Sequence, residues 1–216
     1  GIGKMAFGGL GQNIFNPALT GRIFLLIAYP VQMTTWPVSG EMGYVDVETG
    51  ATPLSLFARY MAGDVAALQE MPDLLDMFVG MIGGSMGEVS AIALLIGFAY
   101  MLIRKTITWH IPVSIFASAF IMALICYNFD VNFAVMQLLS GGLMLGAIFM
   151  ATDYVTSPMN NKGCLIYGAC IGALTIIIRR FGAYPEGMSF AIFVMNAFVP
   201  LINKYVKPTR FGVVKK

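Results

Sequence analysis

Apolar residues come in blocks along this chain: Pro17–Val31, Met77–Ile103, Ile111–Tyr127, Phe133–Ala151, Cys164–Ile178 and Met188–Ile202. Most of the connections between them are short, and one polar break, Gln32–Asp76, is long. A helix needs roughly 20 apolar residues to cross a bilayer, so each block reads as a membrane span. The 27-residue block Met77–Ile103 contains Gly80, Gly83-Gly84, Gly87 and Glu88. This predicts a non-helical stretch around Gly83-Gly84-Ser85, then a helix from about Glu88 to Ile103. Interrupted helices survive at membrane depth only where protein buries them or a cavity is lined. In Phe133–Ala151, Ser140-Gly141-Gly142 and Gly146 are small residues suited to close packing of one continuous helix. Several blocks are only about 15 residues long, and short, glycine-interrupted spans point to inverted repeats. The run Gln12–Ala18 entering the first span parallels Pro185–Ala197 entering the last. The expected fold is therefore an all-α integral membrane protein, a polytopic bundle with broken helices and inverted five-helix repeats.

Within the long break, Gly50-Ala51 reads as a turn and Thr52 as a helix N-cap. Pro53 takes the first helical position, and Leu54, Phe57 and Ala58 lie along one face. The Thr52 hydroxyl would lie beside the unpaired N–H groups and the positive end of the helix dipole. A phosphate attached there would be stabilised by both. The spacing alone favours an ordinary capped loop helix. Asp64–Asp76 is acidic and suits a short surface helix.

Composition agrees with the blocks. The chain has 216 residues, 58% hydrophobic and 11% charged, and a mean hydropathy of +0.78. A soluble domain carries about 25% charged residues. The net charge of +2 gives no reason to expect a nucleic-acid partner. A positive-inside arrangement places Lys4, Arg22, Arg104, Lys105, Lys162, Lys204, Lys207, Arg210, Lys215 and Lys216 in the cytoplasm, leaving Arg59, Arg179 and Arg180 outside. The chain then divides into 1–32, the end of a first transmembrane half; 33–76, an extracytoplasmic loop; 77–208, a second transmembrane half; and 209–216, a basic cytoplasmic tail. Further helices are expected ahead of the polar, glycine-rich start at Gly1.

The single histidine, His110, rules out a multi-histidine metal site or haem pair. Cys126, Cys164 and Cys170 lack metal-ligand or disulfide-framework spacing and read as small packing residues. Gly8-Gly9-Leu10-Gly11-Gln12-Asn13-Ile14-Phe15-Asn16-Pro17 suits a planar heterocycle bearing carbonyls and N–H groups, because Asn13 and Asn16 can both donate and accept. N-capping by Asn16 ahead of Pro17 is the competing role. Glu88 is the one carboxylate this reading places within a span. Such a residue usually has a partner or a task, and a cap at the start of a half-helix is its structural alternative.

Thr49-Gly50-Ala51-Thr52-Pro53-Leu54 resembles the flavinylation motif of two related membrane proteins, the D subunit of the Rnf ferredoxin:NAD oxidoreductase and the B subunit of the sodium-pumping NADH:quinone oxidoreductase. Four further blocks resemble the Rnf protein in the same order: Phe7–Arg22, Gly83-Gly84-Ser85-Met86-Gly87-Glu88-Val89-Ser90, Met150–Asp153 with Asn161-Lys162-Gly163, and Tyr184-Pro185-Glu186-Gly187. Thr49 replaces a frequent Ser, and Tyr154 stands where Pro is common. The resemblance implies FMN joined to Thr52 by a phosphoester, with Gly50, Ala51, Ser85 and Glu88 near it. It also implies a second, non-covalent flavin, riboflavin, held by Asn13 and Asn16. The implied task is single-electron transfer coupled to Na⁺ or H⁺ movement, in a multi-subunit complex with C, G, A and E type partners. The implied setting is a bacterial or archaeal cytoplasmic membrane, with the Thr52 loop outside. A urea- or ammonium-type channel, or a cofactor-free scaffold subunit, would share the broken helices but has no need of the threonine motif.

Overall fold

The computed structural model describes residues 1–34, 36–37, 49–85, 87–182 and 186–207. The expected basic tail at 209–216, part of the outside loop (35 and 38–48), Met86 and Tyr184-Pro185 lie outside these residues. A 3₁₀ turn, Met5–Phe7, leads to α1 (Pro17–Ala28) and α2 (Pro30–Thr34). A minimal antiparallel ladder pairs β1 (Trp36–Pro37) with β2 (Thr49–Gly50). Three short helices follow: α3 (Pro53–Met61), α4 (Ala66–Gln69) and α5 (Leu74–Val79). The bundle helices are α6 (Ala91–Ile103), α7 (His110–Cys126), α8 (Val131–Leu139), α9 (Leu143–Leu145, continuing as a π-helical turn over Gly146–Met150), α10 (Asn161–Phe181) and α11 (Met188–Tyr205).

The all-helical membrane architecture is as expected, with fewer full-length spans than the six apolar blocks. Among the described residues, α10 and α11 are long and apolar enough to cross a membrane, and α8 with α9 makes a third if the bent pair is one span. The first block is cut where Pro30 starts a new helix. Its first part has 12 residues, about 18 Å at 1.5 Å per residue, against a core of about 30 Å. The expected surface helix at 64–76 is two pieces, α4 and the start of α5.

Two elements differ from the sequence reading in kind. The Phe133–Ala151 block is not one continuous helix. It breaks at Ser140-Gly141-Gly142 and bends by 66°. Gly141 has φ +62°, a left-handed conformation that costs glycine least. The break leaves helix carbonyls without partners, and Arg179 of α10 supplies them: Nη1 donates to Gln137 O (2.6 Å) and Nη2 to Ser140 O (2.9 Å). Arg179 is therefore a half-buried brace for the break, a role its place among the charges expected outside does not reveal. Arg22 lies inside the bundle, paired with carboxylates, not with the cytoplasmic loops.

The main core lies between α7, α10 and α11, around Ile115, Ala119, Tyr167, Ile171, Ile192 and Met195. Gly168 and Gly172 of α10 face α7. A Cβ at Gly168 would lie 2.9 Å from Ile111 O, and one at Gly172 2.5 Å from Ile115 O. Ser114 Oγ donates to Leu165 O across the same seam (2.6 Å). Small residues four apart let two helices approach backbone to backbone, which is how helices associate when lipid removes the hydrophobic drive. Helices α1 and α11 are antiparallel neighbours. Contacts run from Phe15 on Phe193 (ring centroids 4.3 Å apart) to Arg22 on Glu186, stepping forward along α1 and back towards the start of α11.

Candidate functional site

Thr52 is the N-cap of α3. Its Oγ accepts from the Ser55 N–H (3.3 Å), and Ser55 Oγ returns a bond to the Thr52 carbonyl (2.7 Å). Pro53 fixes the first turn, and Leu54, Leu56 and Phe57 are buried, so the helix is pinned along one face. The ladder places Gly50 opposite Trp36 on the approach to Thr52. Ala51 is exposed.

Thr52 lines a cavity of about 50 Å³ with Trp36, Gly83, Gly84, Glu88, Gly141 and Glu186. Five separate stretches of chain meet there. Two of them, the threonine motif and the Gly83–Glu88 break, are a pair in the sequence reading. Glu186 belongs to another of the resembling blocks but is not linked there to Thr52, and Gly141 reads only as a packing residue. Leu54 sits over Gly141, where any Cβ would collide with it, so the helix carrying Thr52 docks on the α8–α9 break.

The charges at this cavity form a cluster. Arg22 Nη2 lies 2.6 Å from Glu186 Oε2 and 4.0 Å from Glu88 Oε2. Both carboxylates reach the same glycine: a Cβ on Gly142 would lie 2.5 Å from Glu186 Oε1 and 3.1 Å from Glu88 Oε2. Glu88 Oε1 accepts from the Ser85 N–H (3.2 Å), and Ser85 is buried. Glu88 Oε2 is also buried and accepts no hydrogen bond among the described residues. Glu88 does not begin α6, as its sequence position suggests. Ser90 caps that helix, accepting from the Ala93 N–H (3.4 Å), and Glu88 stands in the non-helical stretch before it.

A second cavity, of about 250 Å³, is lined by Asn13, Ile14, Thr156, Asn196, Val199 and Asn203, among others. Asn13 Nδ2 donates to Phe15 O (3.0 Å). Asn16 stands beside this cavity and does not line it. Its Oδ1 caps α1 by accepting from Ala18 N (3.0 Å) and Leu19 N (3.4 Å), and its Nδ2 donates to Met150 O (3.3 Å). Asn196, absent from the sequence reading, ties this region together. In the amide orientation that satisfies each partner, it donates to Tyr167 Oη (2.7 Å) and Ile192 O (3.3 Å) and accepts from Asn16 N (3.1 Å). An asparagine in the middle of an apolar helix signals such a partner. From Glu186 to Val199 along α11 is roughly 20 Å at 1.5 Å per residue, so the two cavities belong to opposite halves of the bundle.

Outside the bundle, Arg59 pairs with Asp64 (2.7 Å) and Glu70 (3.2 Å) on the exposed side of α3 and α4. The Arg59 hydrogen bond holds the Asp64 carboxyl below its usual range. Exposed pairs of this kind contribute little to stability.

Comparison with known proteins bears on what the cavity is for. The profile of the NQR2, RnfD, RnfE family matches residues 1–212. The chain is 44% identical over 216 residues to the D subunit of the Na(+)-translocating ferredoxin:NAD(+) oxidoreductase complex of Acetobacterium woodii, covering 99% of this chain and 64% of the relative. It is 42% identical to the D subunit of the proton-translocating ferredoxin:NAD(+) oxidoreductase complex of Clostridium ljungdahlii, covering 98% and 65%. It is 38% identical to the D subunit of the ion-translocating oxidoreductase complex of Stutzerimonas stutzeri, covering 98% and 67%. The chain thus spans about two thirds of the length of these relatives.

Proposed function

The chain belongs to the NQR2, RnfD, RnfE family, and from that premise we propose that it is the flavin-carrying membrane subunit of an ion-translocating ferredoxin:NAD oxidoreductase. It passes electrons within a complex of C, G, A and E type subunits, and that transfer is coupled to Na⁺ or H⁺ movement. Its setting is a bacterial or archaeal cytoplasmic membrane, with the Thr52 loop on the outer side. The similarity to three relatives of this kind supports this reading over a channel or a scaffold. The observation that carries it is the meeting of Thr52 with Gly83-Gly84, Glu88 and Glu186 at one cavity.

FMN joined through its phosphate to Thr52 Oγ would supply one-electron chemistry, while the protein positions it and tunes its potential. The residues fit the attachment end. Thr52 is half-buried, its hydroxyl lies at a helix N-terminus, and the dipole there favours a phosphoester. The enclosed volume has room for a few water molecules and no three-ring system, so Thr52 and the glycines would hold the near end of the group. Glu88 and Glu186 place negative charge beside that end, and Arg22 offsets part of it. A buried carboxylate oxygen without a hydrogen bond is stabilised by an arriving cation or proton, so Glu88 is suited to answer a change of charge nearby. Riboflavin would take the second cavity, where the Asn13 side-chain oxygen and the Asn203 side-chain N–H groups are left to meet ring N–H groups and carbonyls, while Asn196 and Thr156 are bonded within the protein.

The test is direct. The wild-type chain, denatured and run on a gel, should fluoresce under ultraviolet light, and the peptide containing residue 52 should carry an FMN-sized mass. Thr52→Ala should lose both. Fluorescence retained by Thr52→Ala would reject the assignment.

A further inference from the structure

We propose that the groove between α3, α7, α8 and the end of α10 binds the headgroup of a zwitterionic phospholipid bearing a primary ammonium. The phosphate lies on Arg180 and the ammonium on the Asp130 side. The groove is a cavity of about 630 Å³, within the range of small-molecule sites. Tyr60, Tyr127, Phe133, Asn128, Asp130 and Arg180 are among the residues that line it. This inference is independent of the flavin assignment.

Arg180 is the second-last residue of α10, a helix of membrane-spanning length, so it stands at the membrane–water boundary. No carboxylate lies within ion-pair distance of it among the described residues. Its guanidinium contacts the Met61 thioether (3.0 Å), a weak acceptor, and lies 5.8 Å from the Phe181 ring centroid. Its neighbour Arg179 is hydrogen-bonded to two backbone carbonyls. Arg180 thus keeps most of its donor fork for a ligand, and a phosphodiester matches that fork.

The other wall carries the opposite sign. Asp130 Oδ1 caps α8 by accepting from Asn132 N (2.9 Å) and Phe133 N (3.4 Å). Its other oxygen has no hydrogen bond among the described residues. Between the two charges stands an aromatic wall: Phe133 packs on Tyr60 (5.6 Å between centroids) and on Tyr127 (6.1 Å). Aromatic rings beside a carboxylate attract a cation. A primary ammonium can also donate to the carboxylate, which a quaternary one cannot. A free phosphate would meet Asp130 unfavourably, whereas a zwitterion satisfies both walls.

The rim fits a lipid rather than a soluble ligand. Asn128 and Phe129 both adopt left-handed backbone (φ +52° and +62°), and Phe129 is 73% exposed. Two consecutive residues held there store strain in order to present a large apolar side chain beside the groove. At a membrane boundary that side chain meets acyl chains.

The experiment is thermal unfolding of the purified full-length protein in detergent micelles. The micelles are doped with phosphatidylethanolamine, phosphatidylcholine or phosphatidylglycerol, and a separate arm adds soluble glycerophosphoethanolamine. Phosphatidylethanolamine should raise the midpoint at the lowest concentration. Arg180→Gln should weaken that response about tenfold, the scale of one charge-assisted hydrogen bond, and Arg180→Lys should restore most of it. Asp130→Asn keeps a good N-cap for α8 and should abolish the preference for phosphatidylethanolamine over phosphatidylcholine. Equal stabilisation by all three lipids, a preference for phosphatidylglycerol, or a preference surviving both Arg180→Gln and Asp130→Asn would overturn the proposal. Glycerophosphoethanolamine acting as well as the lipid would assign the groove to a soluble ligand and overturn the lipid assignment.

Discussion

Two pairs of glycines do opposite work in this bundle. Gly168 and Gly172 lie inside an unbroken helix, and the space their missing side chains leave is filled by the backbone of α7 together with its short Ser114 and Ser118 side chains. Gly141 and Gly142 interrupt a helix, and the space beside them is filled by side-chain ends: Leu54 over Gly141, and Glu186 and Glu88 over Gly142. In the first pair the absent atoms allow two helices to seat. In the second they allow charged groups to gather beside Thr52. Rigid packing and a working cavity are thus obtained from the same residue type, and what fills the vacant Cβ position tells them apart.

The comparison can be broken by adding one methyl at each place. Gly172→Ala should have the largest effect on stability. Its Cβ would press on Ile115 O and Ala119 N, main-chain atoms that cannot step aside, costing about 1–3 kcal/mol or preventing accumulation. A denaturation midpoint equal to that of Gly142→Ala would remove the distinction. Gly142→Ala should cost less than about 1 kcal/mol, because Gly142 has φ −74° and the atoms it meets end flexible side chains. Its effect should appear in function instead: fewer ions moved per electron by the whole complex in reconstituted vesicles, since the carboxylates must shift. An unchanged ratio would separate Glu88 and Glu186 from the coupling. The smallest change is expected for Ser114→Ala, which deletes the bond to Leu165 O and should cost about 0.6 kcal/mol, as interhelical hydrogen bonds in membranes typically do. A loss matching that of Gly172→Ala would mean that the seam is held by hydrogen bonds rather than by close approach.

The apolar blocks and the break at Gly83-Gly84-Ser85 were legible because each is a local signal: a run long enough to span, or a glycine cluster dense enough to stop a helix. The α8–α9 break was not. Ser140-Gly141-Gly142 is flanked by apolar residues on both sides and reads equally well as a packing stripe. What decides against that is Arg179, which accepts the cost of burial by satisfying carbonyls 39 and 42 residues away in sequence. Thr52 was legible as a cap from Thr-Pro alone, and its partners were not. Glu186 looks like part of a turn until Arg22 is seen beside it. Asn13 and Asn16 share one residue type and one loop, yet one lines a cavity and the other caps a helix. Only the position of Pro17, directly after Asn16, distinguishes them in the sequence.

The pairing of Arg22 with Glu186 also sets a clock. The two residues are 164 positions apart, and translation proceeds at about 5–20 residues per second, so Arg22 waits on the order of ten to thirty seconds for its close partner to be made. Glu88 is synthesised in between, but it stands 4.0 Å away in the finished fold and gives the guanidinium no short contact. During that interval a charged helix has to be kept in the membrane, or at its edge, by something other than its final neighbour. The stretch leading into α11 is what lets α1 come to rest.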